Sequence, residues 1–190
     1  MSILLHGLPA GVYQMALSVP VSIRRIAVLD IVPALELLSR PWTLLRMGYV
    51  HWFFFLLPRP VPEKLLGLWI QSFLKLAFRM KAPGAIEGDA FHEYLRCYAS
   101  PGGLFGPVHD FRTSAASLRK KQDSKMPDCP VLVLWGRKSP LRHVDVSALW
   151  RPYASDLHVD SLPGGHFLPE ECPRETAETL GHHFLKSVPA

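Results

Sequence analysis

Two runs, Ile26–Leu29 and Val131–Trp135, limit the folds open to this chain more than any other feature. Each is short, apolar at every position and rich in β-branched residues, and each is bounded by turn formers. A strand with one wet face alternates apolar with polar residues. A run without alternation requires burial on both faces, as in a parallel sheet covered by helices. Ser2–Leu5 reads the same way, whereas Leu157–Asp160 alternates more and is expected nearer an edge. Val12–Leu17 and Val144–Trp150 fit helices between strands. Pro173–Leu185 opens with proline at a first-turn position and carries Ala177, Leu180, Phe184 and Leu185 on one face. Strands alternating with helices predict an α/β layer fold with a partial sheet of mostly parallel strands, four in these segments.

The middle of the chain breaks that alternation. Between the second and third strands lie the helix-like segments Leu35–Leu38, Leu44–Leu57, Leu65–Phe78 and Phe91–Tyr98. They are punctuated by Pro58-Arg59-Pro60, Pro62, Pro83-Gly84 and Pro101-Gly102-Gly103. An insertion at the carboxyl end of a sheet strand overhangs the crevice where such sheets bind ligands. The expected organisation is therefore a core of residues 1–33 and 128–190 with a helical cap, or lid, over 34–127.

Composition narrows the class. With 190 residues and 48% apolar content the chain can bury a core and is not disordered. The net charge of +5 gathers densely only at Arg119, Lys120, Lys121 and Lys125, where Asp123 interrupts it. No aromatic residues interleave, so a solvated helix end or loop is expected there and no nucleic-acid partner. Cys97, Cys129 and Cys172 are odd in number and widely spaced, which gives neither a disulfide framework nor a metal-ligand pattern. A reducing cytoplasm suits them. Ile3–Leu5 has no basic residues before it and ends at His6, unlike a signal peptide. The greasiest stretch, Trp52–Leu57, falls far short of the roughly 20 residues of a membrane span.

Two residues stand where chemistry is done. Leu162-Pro163-Gly164-Gly165-His166-Phe167 follows the fourth strand, and its glycines allow a tight turn that lifts His166 to the sheet's carboxyl edge. A general base requires a histidine held at such a place with one nitrogen available. The competing reading is a turn with an incidental histidine. Asp30 follows the second strand at the same edge, where an acid can fix the tautomer of His166 and stabilise its charged form. Taken alone, it is equally a strand-end aspartate capping a helix.

Together these segments carry a resemblance. Leu29-Asp30-Ile31-Val32-Pro33, His51-Trp52-Phe53-Phe54, Cys129-Pro130-Val131-Leu132-Val133-Leu134-Trp135-Gly136, Leu149-Trp150-Arg151-Pro152-Tyr153-Ala154 and Leu162-Pro163-Gly164-Gly165-His166-Phe167-Leu168-Pro169-Glu170 resemble, in order and spacing, the haloacetate (fluoroacetate) dehalogenases of the α/β-hydrolase superfamily. The resemblance runs from about Val12 to the C-terminus. It implies that His166 activates water and that Asp30 is its acid partner. The loop where many other α/β-hydrolases place that acid, Arg137-Lys138-Ser139-Pro140, contains no carboxylate, which independently favours Asp30. It further implies that His51 and Trp52 hold the departing halide through their ring N–H groups. A third halide donor in the family is a tyrosine. The matching stretch here, His109-Asp110-Phe111-Arg112, has none, which argues against efficient defluorination.

The family's nucleophile, an aspartate in a His-Asp-Arg-Gly turn, attacks carbon and forms an ester that the activated water then hydrolyses. The matching place reads His6-Gly7-Leu8-Pro9-Ala10-Gly11, without Asp, Ser or Cys, and the arginine that would hold the substrate carboxylate is absent too. His6, Gly7, Leu8 and Pro9 also resemble the His-Gly-x-Pro oxyanion loop found earlier in full-length members. Both readings leave the chain without a nucleophile.

Two functions compete. One is a hydrolase of the haloacetate-dehalogenase type acting on a halogenated short acid, with epoxide hydrolase as its variant. Epoxide hydrolases use cap tyrosines as acids, and here Tyr49, Tyr94 and Tyr98 read as packing residues. The other is a non-catalytic remnant of a truncated or internally deleted gene. No metal or organic cofactor is implied, since aspartate, histidine and water suffice for the chemistry. The first strand would be central in a complete hydrolase, so its exposed edge predicts self-association.

Overall fold

The computed structural model describes residues 2–6, 23–33, 36, 51–81, 84–109, 112–113 and 128–185. Four strands form one sheet in the order β1-β2-β3-β4: β1 (Ser2–His6), β2 (Arg25–Leu29), β3 (Val131–Gly136) and β4 (Leu157–Leu162). All three pairings are parallel, with Ile3 opposite Ile26, Leu29 opposite Leu134, and Gly136 opposite Leu162. The expected parallel α/β sheet is therefore present. The alternating strand, β4, lies at an edge, as its pattern requires.

The unbroken apolar runs are explained by what covers each face. On one side Ile26, Val28, Val131 and Val133 pack with Leu141, Val146, Leu149 and Trp150. The last three belong to helix α4 (Val146–Trp150), which Asp145 caps by accepting from the backbone N–H of Ala148 at 2.9 Å. On the other side Ala27, Leu29, Leu132 and Leu134 meet Leu162, Leu168 and Cys172. Leu180 and Phe184 of helix α6 (Pro173–Leu185) pack against that layer. Alternate residues of one strand thus serve two cores, and each fully buried Val or Leu contributes about 1.5–3 kcal/mol. The short helix α5 (Leu168–Glu171) joins the end of β4 to α6.

Between β2 and β3 the regular elements among the described residues are all helical. They are α1 (His51–Phe55), α2 (Val61–Lys81), which breaks helical geometry at Trp69, and α3 (Gly88–Ala99), with a further helical turn at 105–109. Ile70, Leu74, Phe78, Ile86 and Phe91 form the core of this insertion, and Phe167 from the sheet's carboxyl edge packs into it. These helices therefore pack against the loop that carries His166. Val12–Leu17, all of Leu35–Leu38 except Glu36, residues 44–50 and the basic cluster from Arg119 to Lys125 lie outside the described residues. Cys97, Cys129 and Cys172 are free thiols. Among the described residues no helix is long and apolar enough to cross a membrane.

Candidate active site

The chain brings Asp30 and His166 together at the carboxyl edge of the sheet. Asp30 sits one residue beyond β2 and is fully buried, with a left-handed backbone (φ 48°) that is uncommon outside glycine but that aspartate tolerates. Its contacts hold it there. Its backbone N–H donates to the carbonyl of Leu134 at 2.8 Å, which extends the β2–β3 ladder past the strand end. Its Oδ1 accepts from the backbone N–H of Gly136 at 2.8 Å. Its Oδ2 lies 2.7 Å from Nδ1 of His166. Both carboxylate oxygens are committed, one to the scaffold and one to the imidazole.

His166 is 8% exposed and stacks edge-on against Phe167 at 5.0 Å. Its loop is pinned to the end of β3. Arg137 and Lys138 donate backbone N–H groups to Leu162 and Gly164, both at 2.9 Å. The approach is so close that a Cβ on Gly136 would stand 2.0 Å from the carbonyl oxygen of Gly165. A Cβ on Gly164 would meet Sγ of Cys172 at 2.8 Å. Glycines were expected here to permit a tight turn. Among the described residues the positive-φ glycines are Gly84, Gly88 and Gly102, so what Gly164 supplies is room for the side chains of Cys172, Glu171 and Leu168.

Two carboxylates that sequence reading passed over also engage this loop. Glu171 accepts from the backbone N–H of Gly165 at 2.7 Å and of Phe167 at 3.0 Å. Glu170 accepts from the hydroxyl of Tyr94, on α3, at 2.7 Å. Burial, and next the bond to Glu170, push the Tyr94 hydroxyl up to about 12. Tyr94 packs against Phe78, as a packing residue should, and also ties the insertion to the segment after His166. No sequence pattern announces these contacts, because glutamates in a first helical turn are common wherever a helix begins.

His51 and Trp52 open α1, but their side chains lie outside the described residues. His6 closes β1 beside Leu29, with its side chain likewise outside, and Gly7, Leu8 and Pro9 are not among the described residues.

A solved structure of a Nostoc sp. PCC 7120 protein assigned to the α/β-hydrolases superposes with a TM-score of 0.86 at 31% identity, over 98% of this chain and 67% of that one. The chain belongs to the α/β-hydrolase superfamily. Within the superfamily it is dehalogenase-like: it is 29% identical over 175 residues to a fluoroacetate dehalogenase of Burkholderia sp., a match covering 88% of this chain and 58% of the relative. It is also 24% identical over 145 residues to epoxide hydrolase 4 of Mus musculus, covering 72% of this chain and 39% of that hydrolase. The chain thus spans a little over half the length of the dehalogenase it matches. No family model matches it.

Proposed function

We propose that this chain carries the water-activating half of a haloacetate-dehalogenase-type active site. The supporting observation is the 2.7 Å contact between His166 Nδ1 and Asp30 Oδ2 at the sheet's carboxyl edge. With its Nδ1 proton held by Asp30, the imidazole presents Nε2 as the proton acceptor. Cleavage of the carbon–halogen bond in such an enzyme proceeds through an aspartyl ester. A carboxylate oxygen bonds to carbon and the halide leaves with the bonding pair. Water, deprotonated by His166, then attacks the ester carbonyl and releases the hydroxy acid. His51 and Trp52 are the proposed halide donors, His6, Gly7, Leu8 and Pro9 the proposed oxyanion loop, and residues 34–127 the cap over a core of 1–33 and 128–190.

A nucleophile is the piece this sequence does not place. Residues 6–11 hold no Asp, Ser or Cys. That favours a second reading, in which the polypeptide is a non-catalytic remnant of the same lineage. The epoxide-hydrolase variant is weaker. A tyrosine acid must give up its proton, and Tyr94 is already bonded to Glu170 and held near 12.

Halide release from fluoroacetate and chloroacetate separates the readings. We expect none above buffer from the purified chain. Release that disappears in His166→Ala would overturn the non-catalytic reading. The triple variant Gly7→Asp, Leu8→Arg, Pro9→Gly restores a His-Asp-Arg-Gly turn at the end of β1. Release that it gains, and that His166→Ala abolishes, would establish the water-activating role of His166.

A further inference from the structure

We propose that Glu171 is a positioning residue for the His166 base: its carboxylate bridges the backbone N–H groups on either side of the histidine and fixes the turn that delivers the imidazole to Asp30. This rests on the water-activation reading above and extends it to a residue outside the dyad.

The geometry is specific. Oε2 accepts from the N–H of Gly165 at 2.7 Å and Oε1 from that of Phe167 at 3.0 Å, so one planar group holds both peptides that flank His166. Charge-assisted bonds from backbone N–H groups to a carboxylate are shorter and stronger than neutral ones. Glu171 is itself well anchored. Its own N–H donates to Phe167 O at 2.9 Å, and the next residue's N–H, from Cys172, donates to Leu168 O at 2.8 Å. Thr176 Oγ1 bonds the same Leu168 carbonyl at 3.1 Å, tying this turn to α6. Phe167, with φ −99° and ψ 65°, is neither helical nor extended. Its N–H therefore finds its partner in the Glu171 carboxylate, where a longer helix would have supplied a carbonyl.

The consequence reaches the dyad because the imidazole is aimed by its backbone. Asp30 is fixed independently, by Leu134 and Gly136. It cannot follow a histidine that drifts. If the clamp at Gly165 and Phe167 loosens, the 2.7 Å contact lengthens while the sheet and both its cores stay as they are.

The test is proton NMR of the full chain, reading the Nδ1 proton that His166 donates to Asp30. That resonance is assigned by its loss in His166→Ala. In Glu171→Gln, which keeps the side chain's shape, we expect it to move upfield and to exchange with water at least tenfold faster. Glu175→Gln, an exposed acid in the first turn of α6, should change neither. A Glu171→Gln protein with a lowered melting temperature but an unmoved, equally protected resonance assigns Glu171 to stability alone and overturns the proposal. Should Glu171→Ala fail to fold, Glu171→Gln decides by itself. Absence of any His166-dependent downfield proton in the unmodified chain would overturn the dyad itself, an outcome distinct from a dyad that ignores Glu171.

Discussion

Asp30 and His166 meet at 2.7 Å although 136 positions separate them in sequence, and the partner on the other side of Asp30 is a backbone N–H, that of Gly136. This second bond decides how the acid can be replaced. An amide at position 30 must turn its oxygen toward Gly136, because its NH2 group would set donor against donor there. The NH2 group then faces Nδ1 of His166.

Asp30→Asn is therefore expected to fold, since asparagine tolerates the left-handed backbone found at this position. The loss of charged hydrogen bonding costs about 1.5–3 kcal/mol. The larger effect is on the tautomer. Nδ1 becomes the acceptor and the proton moves to Nε2, the nitrogen proposed above to take a proton from water. Where a triad acid has been changed in this way, turnover falls about 10⁴-fold. Ring ¹⁵N shifts of labelled His166 read the tautomer directly. A proton still on Nδ1 in the variant would show that Gly136 does not orient the amide.

Gly136→Ala attacks the same site from the backbone. The new methyl would stand 2.0 Å from Gly165 O and 2.7 Å from Gly164 O, and neither carbonyl belongs to a side chain that can rotate away. Overpacking against fixed atoms costs about 3 kcal/mol. Gly181→Ala in α6 is the contrast. Nothing lies within 4 Å of its Cβ position, so helix propensity should stabilise it by about 0.5–1 kcal/mol. Urea midpoints moving in opposite directions would confirm the assignment. A tolerated Gly136→Ala would mean that the two loops are not in register as described.

How much of this was legible beforehand follows from what each feature depends on. The sheet was readable because Ile26–Leu29 and Val131–Trp135 are apolar on both faces, a property that only a covered parallel strand rewards. Asp30 and His166 were readable because each directly follows or closely trails a strand. Glu171 and Tyr94 were not. Their roles come from loop and insertion geometry that brings α3 against the segment after β4, and residue type carries no trace of that. The constraint on Gly136 is a carbonyl on another loop, which its place after a strand does not reveal.

Strand β1 pairs with β2 and with no other strand among the described residues. An unshielded parallel edge is a template for a second chain. The purified 190-residue chain is expected to elute from size exclusion as a dimer or larger species, with the proportion rising with concentration. Substituting proline for Leu4 removes a backbone donor from β1 and should lower that proportion. A concentration-independent monomer would show that this edge is already covered.

Tyr94 supplies a pH test of the contact between the insertion and the loop that carries His166. Its hydroxyl donates to Glu170 at 2.7 Å, and its pKa is raised from 10.0 to about 12. A group whose folded pKa is raised stabilises the fold while it stays protonated. Its contribution is complete below pH 10 and is lost as the pH climbs through about 12. Above that, phenolate and Glu170 carboxylate repel across the gap. Tyr94→Phe should cost about 1 kcal/mol at pH 8, in line with one partly exposed hydrogen bond. The difference between the variant and the unmodified chain should shrink and then vanish between pH 10 and 12. Thermal melts of both proteins across that range would measure it. A Tyr94→Phe protein as stable as the unmodified chain at pH 8 would mean that the ring's packing against Phe78, which the variant keeps, and not the bond to Glu170, holds this part of the insertion to the loop.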